Sequence, residues 1–134
     1  MDTVSRDKLK KHGIKRFFKS FNYALDGLKY AFKYEQNILF HTLAMIVAIA
    51  AGIFFKISVT EWLILFLIIG LVIATELINT SIEATIDLIT DKVHPLAKVA
   101  KDTAAAAVLI FGFTAIIIAI IIFVPKILLL FGLI

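Results

Sequence analysis

Apolar positions along the chain form one helical stripe followed by three long runs. The stripe is Ile14, Phe17, Phe18, Phe21, Leu25, Leu28 and Phe32, with Lys15, Lys19, Asp26, Lys29 and Lys33 opposite. Its period predicts an amphipathic helix within residues 5–33, suited to the membrane interface, although a helix packed on protein gives a similar pattern. The run Ile38–Phe55 has His41 as its only strongly polar member and is just long enough to cross a ~30 Å hydrocarbon core. A second run opens near Val59. Ser58 and Glu61 before it have capping-box spacing, which gives Glu61 a structural role. As a helix it reaches Thr90, about 45 Å at 1.5 Å per residue, so its last turns must leave the hydrocarbon. The third run opens at Pro95, a favoured first helical residue, carries Lys98, Lys101 and Asp102, is uncharged from Thr103 to Val124, and is expected to end at Pro125. The expected fold is an all-α membrane protein forming a single membrane domain, 1–134: a surface helix (5–33) and three transmembrane spans (36–56, 59–90 and 95–125).

Composition agrees. Of 134 residues, 61% are hydrophobic, against about 45–50% in soluble domains. Cysteine is absent, which excludes disulfides and thiolate ligation. The first apolar run is not expected to be a signal peptide, since a long charged segment precedes it and no small-residue cleavage site ends it. Nine basic residues precede the first span: Arg6, Lys8, Lys10, Lys11, Lys15, Arg16, Lys19, Lys29 and Lys33. Lys92, Lys98 and Lys101 lie between the second and third spans, against only Lys56 and Lys126 on the other side. This asymmetry predicts a cytoplasmic N-terminus and an external C-terminus. The net charge of +4 is thus a topology and anionic-lipid signal, and nucleic acid is not an expected partner.

The second run changes the picture. Glu76, Asn79, Thr80, Glu83, Asp87 and Thr90 are spaced so that they share one helical face roughly 100° wide. Asp87 and Thr90 fit a helix end emerging into water. Glu76 follows an uncharged stretch from Trp62, and a charge within a bilayer costs at least ~2.5–3.5 kcal/mol on insertion scales. It therefore points to chemistry, a metal or a buried partner. Counting about 20 residues from Val59 puts the cytoplasmic boundary near residue 80. Glu35, Glu76, Asn79, Glu83, Lys101 and Asp102 are then expected at one depth, where a lipid hydroxyl meets a water-soluble cosubstrate.

Oxygen ligands of this kind suit Mg²⁺, which takes one or two carboxylates plus substrate phosphates, and a lysine suits phosphate. These parts suffice for phosphoryl transfer to a lipid alcohol. Neither a P-loop nor a G-x-G-x-x-G motif is present. The histidines form no metal motif; His41 reads as a hydrogen-bonded core residue. On the first helix, Arg16, Ser20, Tyr23, Gly27 and Tyr30 share a flank that could approach an anionic ligand or hold a snorkelling arginine and interfacial tyrosines.

Two segments carry a resemblance: Glu76-Leu-Ile-Asn79-Thr-Ser-Ile-Glu83-Ala-Thr-Ile-Asp87, and Ala97-Lys98-Val-Ala-Lys101-Asp102-Thr-Ala-Ala-Ala-Ala107. Together they closely resemble the small bacterial diacylglycerol kinase/undecaprenol kinase family, over about residues 15–126. The resemblance implies an ATP:lipid phosphotransferase that is a homotrimer with active sites built between subunits. Matched by position, it implies Glu76 as general base and Glu35 and Glu83 as Mg²⁺ ligands. It also implies Lys101 and Asp102, with Glu35, Glu83, Arg16 and Tyr23, as nucleotide contacts, and Asn79 and Asp87 as supporting residues.

Glu35-Gln-Asn-Ile-Leu-Phe-His41, Asp87-Leu-Ile-Thr-Asp-Lys-Val-His-Pro95 and Val124-Pro125-Lys126 resemble the Gram-positive branch, which implies undecaprenol as substrate, with diacylglycerol as the alternative. The expected location is the bacterial cytoplasmic membrane. A non-enzymatic reading, a small scaffold or channel subunit with carboxylates lining a pore, has no use for Lys101-Asp102. It would also need polar residues along Trp62–Ala74, which is apolar.

Overall fold

The fold, taken from a computed structural model, describes residues 14–133 apart from the side chains of Lys15 and Arg16. The 5–13 part of the expected surface helix, His12 and the Arg16 side chain lie outside the described residues. Four helices follow one another: α1 (Ile14–Tyr34), α2 (Gln36–Phe54), α3 (Val59–Ile89) and α4 (Pro95–Leu130). α1 belongs to one compact unit and α2–α4 to another. Within α1, Phe17, Phe18 and Phe21 are exposed, and the first two rings meet edge to face at 5.8 Å. The other three helices are each long and apolar enough to cross a membrane.

The α2–α3 turn is tight because both helix ends are satisfied locally. The amides of Lys56 and Ile57 bond back to the carbonyls of Ile53 and Gly52, a Schellman arrangement. Its left-handed position is taken by Lys56 (φ 49°), although glycine fits that conformation without penalty. Ser58 and Glu61 then form the expected capping box. The Ser58 amide donates to Glu61 Oε2 at 2.7 Å, and the Glu61 amide donates to Ser58 Oγ at 3.3 Å. After α3, His94 caps α4 by accepting the Leu96 amide at its Nδ1, and Pro95 opens the helix.

α4 does not end at Pro125. It continues to Leu130 and stops where Gly132 (φ 66°) closes a second Schellman turn. An interior proline costs a helix about 3 kcal/mol in lost bonding and ring clash. Here the flanking turns are held: Ile122 and Phe123 are buried in the core, and Lys126 is ion-paired to Glu61 on α3. Lys101 is paired with Asp87 near the other end of the same two helices. Glu61 and Asp87 are separated by about 39 Å of helix, more than the ~30 Å hydrocarbon thickness. The two ion pairs therefore brace an antiparallel α3–α4 pair at its ends and leave the apolar stretch between them.

The core sits at the Glu61–Lys126 end. Ile57, Leu65, Ile68, Val72, Ile122 and Phe123 form it, with Phe55 against Phe123 and Trp62 stacked on Phe66. Gly52 gives Trp62 its place. A Cβ built there would meet Trp62 Cη2 at 2.8 Å and Ile57 Cδ1 at 3.1 Å. Gly52→Ala should cost about 1–3 kcal/mol through overpacking, seen as a lower unfolding temperature in detergent. An unchanged melting curve would show that the indole has room to shift.

Candidate active site

Toward the opposite end of α3, the packing opens. α2, α3 and α4 line a half-open cavity of about 580 Å³. Its lining is apolar along most of its length, with Met45, Leu65, Ile69, Val108 and Phe113 among the contributors. The polar contributors are Asn37 and His41 from α2 and Glu76 and Asn79 from α3. Asn37 and His41 are four residues apart and so share a helix face.

Glu76 is 1% exposed and Asn79 6%. The Glu76 Oε2 and Asn79 Oδ1 atoms are buried without a hydrogen-bond partner. A buried polar atom left unpaired costs about 1–3 kcal/mol, more when charged, so these two positions are not explained by folding alone. Neighbouring bonds hold them in place. Thr80 Oγ1 donates to the Glu76 carbonyl at 3.1 Å, and Asn79 Nδ2 donates to Glu83 Oε1 at 3.0 Å. The second bond turns the Asn79 amide so that its oxygen is left over.

Around the Glu76 carboxyl stand His41 and Asn37, together with Glu35 and Glu83, both near enough to repel a charge on it. Glu35 precedes α2 as its N-cap residue, yet its side chain makes no capping bond. Glu35 and Glu83 thus lie within electrostatic range of Glu76, where a cation would relieve the repulsion. Among the described residues no three acidic or histidine side chains converge closely enough to hold a metal alone. The donor set nevertheless fits Mg²⁺, which is held by one or two carboxylates and completed by phosphate oxygens or water.

The sequence-expected residues fall into three groups. Glu76 and Asn79 line the cavity, Glu83 is bonded to Asn79, and Glu35 stands within electrostatic range of Glu76. Lys101 is instead paired with Asp87, and Asp102 with Lys98 one turn earlier on α4. Tyr23 lies on α1 with an exposed side chain. Sequence reading gave Asn37 no role and took His41 for core. Their signal was present: with Ala44, Met45 and Ala48 they recur at spacings of three and four along one face of α2.

Comparison with known proteins follows the same residues. Positions 22–123 match the family described as prokaryotic diacylglycerol kinase. The chain is 48% identical over 113 residues to the undecaprenol kinase of Bacillus subtilis (strain 168), covering 84% of this chain and 92% of that one. It is 40% identical over 101 residues to a diacylglycerol kinase of Helicobacter pylori (strain ATCC 700392 / 26695), 75% of this chain and 79% of that one. To the diacylglycerol kinase of Escherichia coli (strain K12) it is 32% identical over 109 residues, 81% of this chain and 86% of that one. With three apolar helices of spanning length and this match, the chain belongs to the prokaryotic diacylglycerol kinase family and is a multi-pass membrane lipid kinase.

Proposed function

We propose that the protein is a Mg²⁺- and ATP-dependent undecaprenol kinase of the bacterial cytoplasmic membrane, working as a homotrimer with its N-terminus in the cytoplasm. The observation that carries this reading is the buried Glu76 carboxyl, whose Oε2 has no hydrogen-bond partner, among the polar residues of an otherwise apolar cavity. That is the environment a long-chain alcohol needs: hydrocarbon for the tail, an acceptor for the hydroxyl proton. The similarity to the Bacillus subtilis undecaprenol kinase favours undecaprenol over diacylglycerol.

In this reading the lipid hydroxyl binds at Glu76 Oε2, and the carboxylate takes its proton as the oxygen attacks the γ-phosphorus of ATP. The bond from that phosphorus to the β-bridging oxygen breaks, giving undecaprenyl phosphate and ADP. The proton leaves from Glu76 afterwards. Asn79 orients Glu83 through the 3.0 Å bond and offers its oxygen to the site. Glu35 and Glu83 would hold Mg²⁺. When bound, the ion would neutralise charge on the transferring phosphoryl group. Lys101, with Asp102, would meet the phosphates, exchanging the Asp87 carboxylate for a phosphate oxygen. Arg16 and Tyr23 would contact the rest of the nucleotide.

The test is ATP turnover by purified protein in detergent micelles. Turnover should depend on added undecaprenol and on Mg²⁺, and lipid-independent hydrolysis at the same rate would contradict the reading. The metal assignment has its own prediction. Glu83→Ala and Glu35→Ala should each raise the half-saturating Mg²⁺ concentration, with partial rescue at excess metal. An unchanged Mg²⁺ titration in both, with Asp87→Ala inactive, would move the metal site a turn or more outward.

A further inference from the structure

We propose that Gly112 sets how deeply a single prenyl chain enters the cavity, making it a chain-length determinant for the lipid substrate. The inference rests on the lipid-alcohol reading above and adds the position that reads the tail.

The path of the tail follows from the helix register. α3 and α4 are antiparallel. The cavity is lined on α3 from Leu65 to Asn79 and on α4 from Ala105 to Ala119. Asn79 and Ala105 therefore share one end and Leu65 and Ala119 the other, and with the Lys101–Asp87 and Lys126–Glu61 pairs this sets Gly112 between the levels of Glu76 and Val72. Along the helix axis that is at most roughly 6 Å from Glu76, with at least roughly 10 Å of cavity beyond. A hydroxyl donating to the buried, unpartnered Glu76 Oε2 sends its tail past Gly112.

Within the chain, Gly112 has no other structural reason to be glycine. It lies inside α4 without the positive φ that would require it. No atom lies within 4 Å of a Cβ built there, so it does not serve a close approach by another helix of the same chain. A glycine in a helix interior is less favourable than alanine. Gly27 and Gly70 also face open space, but neither lines the cavity. At Gly112 the open space is the cavity itself, flanked on α4 by Ala105, Ala115 and Ala119.

The length limits what enters. The lining runs about 16 Å along the helix axis from Glu76 to Leu65 and is open on one side, enough for a few isoprene units. One chain segment fits, and the remainder of a longer tail runs into the bilayer.

The experiment measures kcat/KM for phosphorylation of prenols of one, two, four and eleven isoprene units, in micelles at saturating Mg²⁺ and ATP. For the unsubstituted protein, kcat/KM should rise with length and level off near four units. Gly112→Phe, which puts a ring across the cavity, should move the plateau to one or two units and lower kcat/KM for the eleven-unit alcohol at least tenfold. The KM for ATP should be unchanged. Gly112→Ala should give a plateau between the two and guards against a misfolded phenylalanine variant.

Coincident plateaus in all three proteins would overturn the proposal and leave the kinase reading intact. So would an equal loss at every length in Gly112→Phe with no shift in Gly112→Ala, or a changed oligomeric state in either variant, which would give the face to a second copy of the chain. Failure of the unsubstituted protein to phosphorylate any prenol would defeat the underlying reading itself.

Discussion

Glu76→Gln is expected to lower lipid phosphorylation at least 10²-fold, within the ~10²–10⁴-fold range of general acid–base catalysis, without loss of folding. The amide matches the carboxylate in shape, and its oxygen can still accept a hydrogen bond from a lipid hydroxyl. It cannot take the proton. Burial sharpens the contrast, because the side chain is 1% exposed and bulk water has little access to replace it as base. Folding should survive, since the bonds that hold this stretch of α3 come from Thr80 to the Glu76 backbone and from Asn79 to Glu83. A purified variant keeping more than a tenth of the original turnover would remove Glu76 from the base role.

Mixing two inactive variants should restore activity. Within one chain, Lys101 is tied to Asp87, about 16 Å of helix beyond Glu76. A lysine there reaches a phosphate beside its own Glu76 poorly, whereas a neighbour's lysine can approach across an interface. This supports the proposal that the base and the phosphate-binding lysine come from different subunits. Ala104–Ala107 allow close helix contact. Glu76→Gln and Lys101→Ala subunits, unfolded together and reassembled in equal amounts, would place both original residues at about one interface in four. Activity should then rise well above either variant alone. Background activity in trimers verified by crosslinking would reject this sharing of residues.

Much of this architecture was legible in the sequence because it depends on local periodicity. The amphipathic stripe of α1, the three apolar runs and the Ser58–Glu61 box all follow from spacings of three and four. The polar face of α3 was legible for the same reason, and Glu76 stood out because carboxylates are costly among apolar neighbours. The bracing pairs were not. Lys126 and Glu61 are 65 positions apart and Lys101 and Asp87 are 14 apart, so only the antiparallel packing of α3 and α4 joins them. The same packing carries α4 through Pro125, which local rules read as a stop. The cavity left the weakest trace. Ala105, Gly112 and Ala119 sit in an apolar run where small and large residues score alike, and space becomes visible only once three helices surround it.

The central claim is that the Glu76 cavity delivers a prenyl alcohol, rather than a diacylglycerol, to the γ-phosphate of ATP. It is tested most directly by competition: purified protein, micelles holding equal mole fractions of undecaprenol and diacylglycerol, γ-labelled ATP, and separation of the two lipid products. The account predicts that label accumulates mainly in undecaprenyl phosphate. Label chiefly in phosphatidic acid would contradict it.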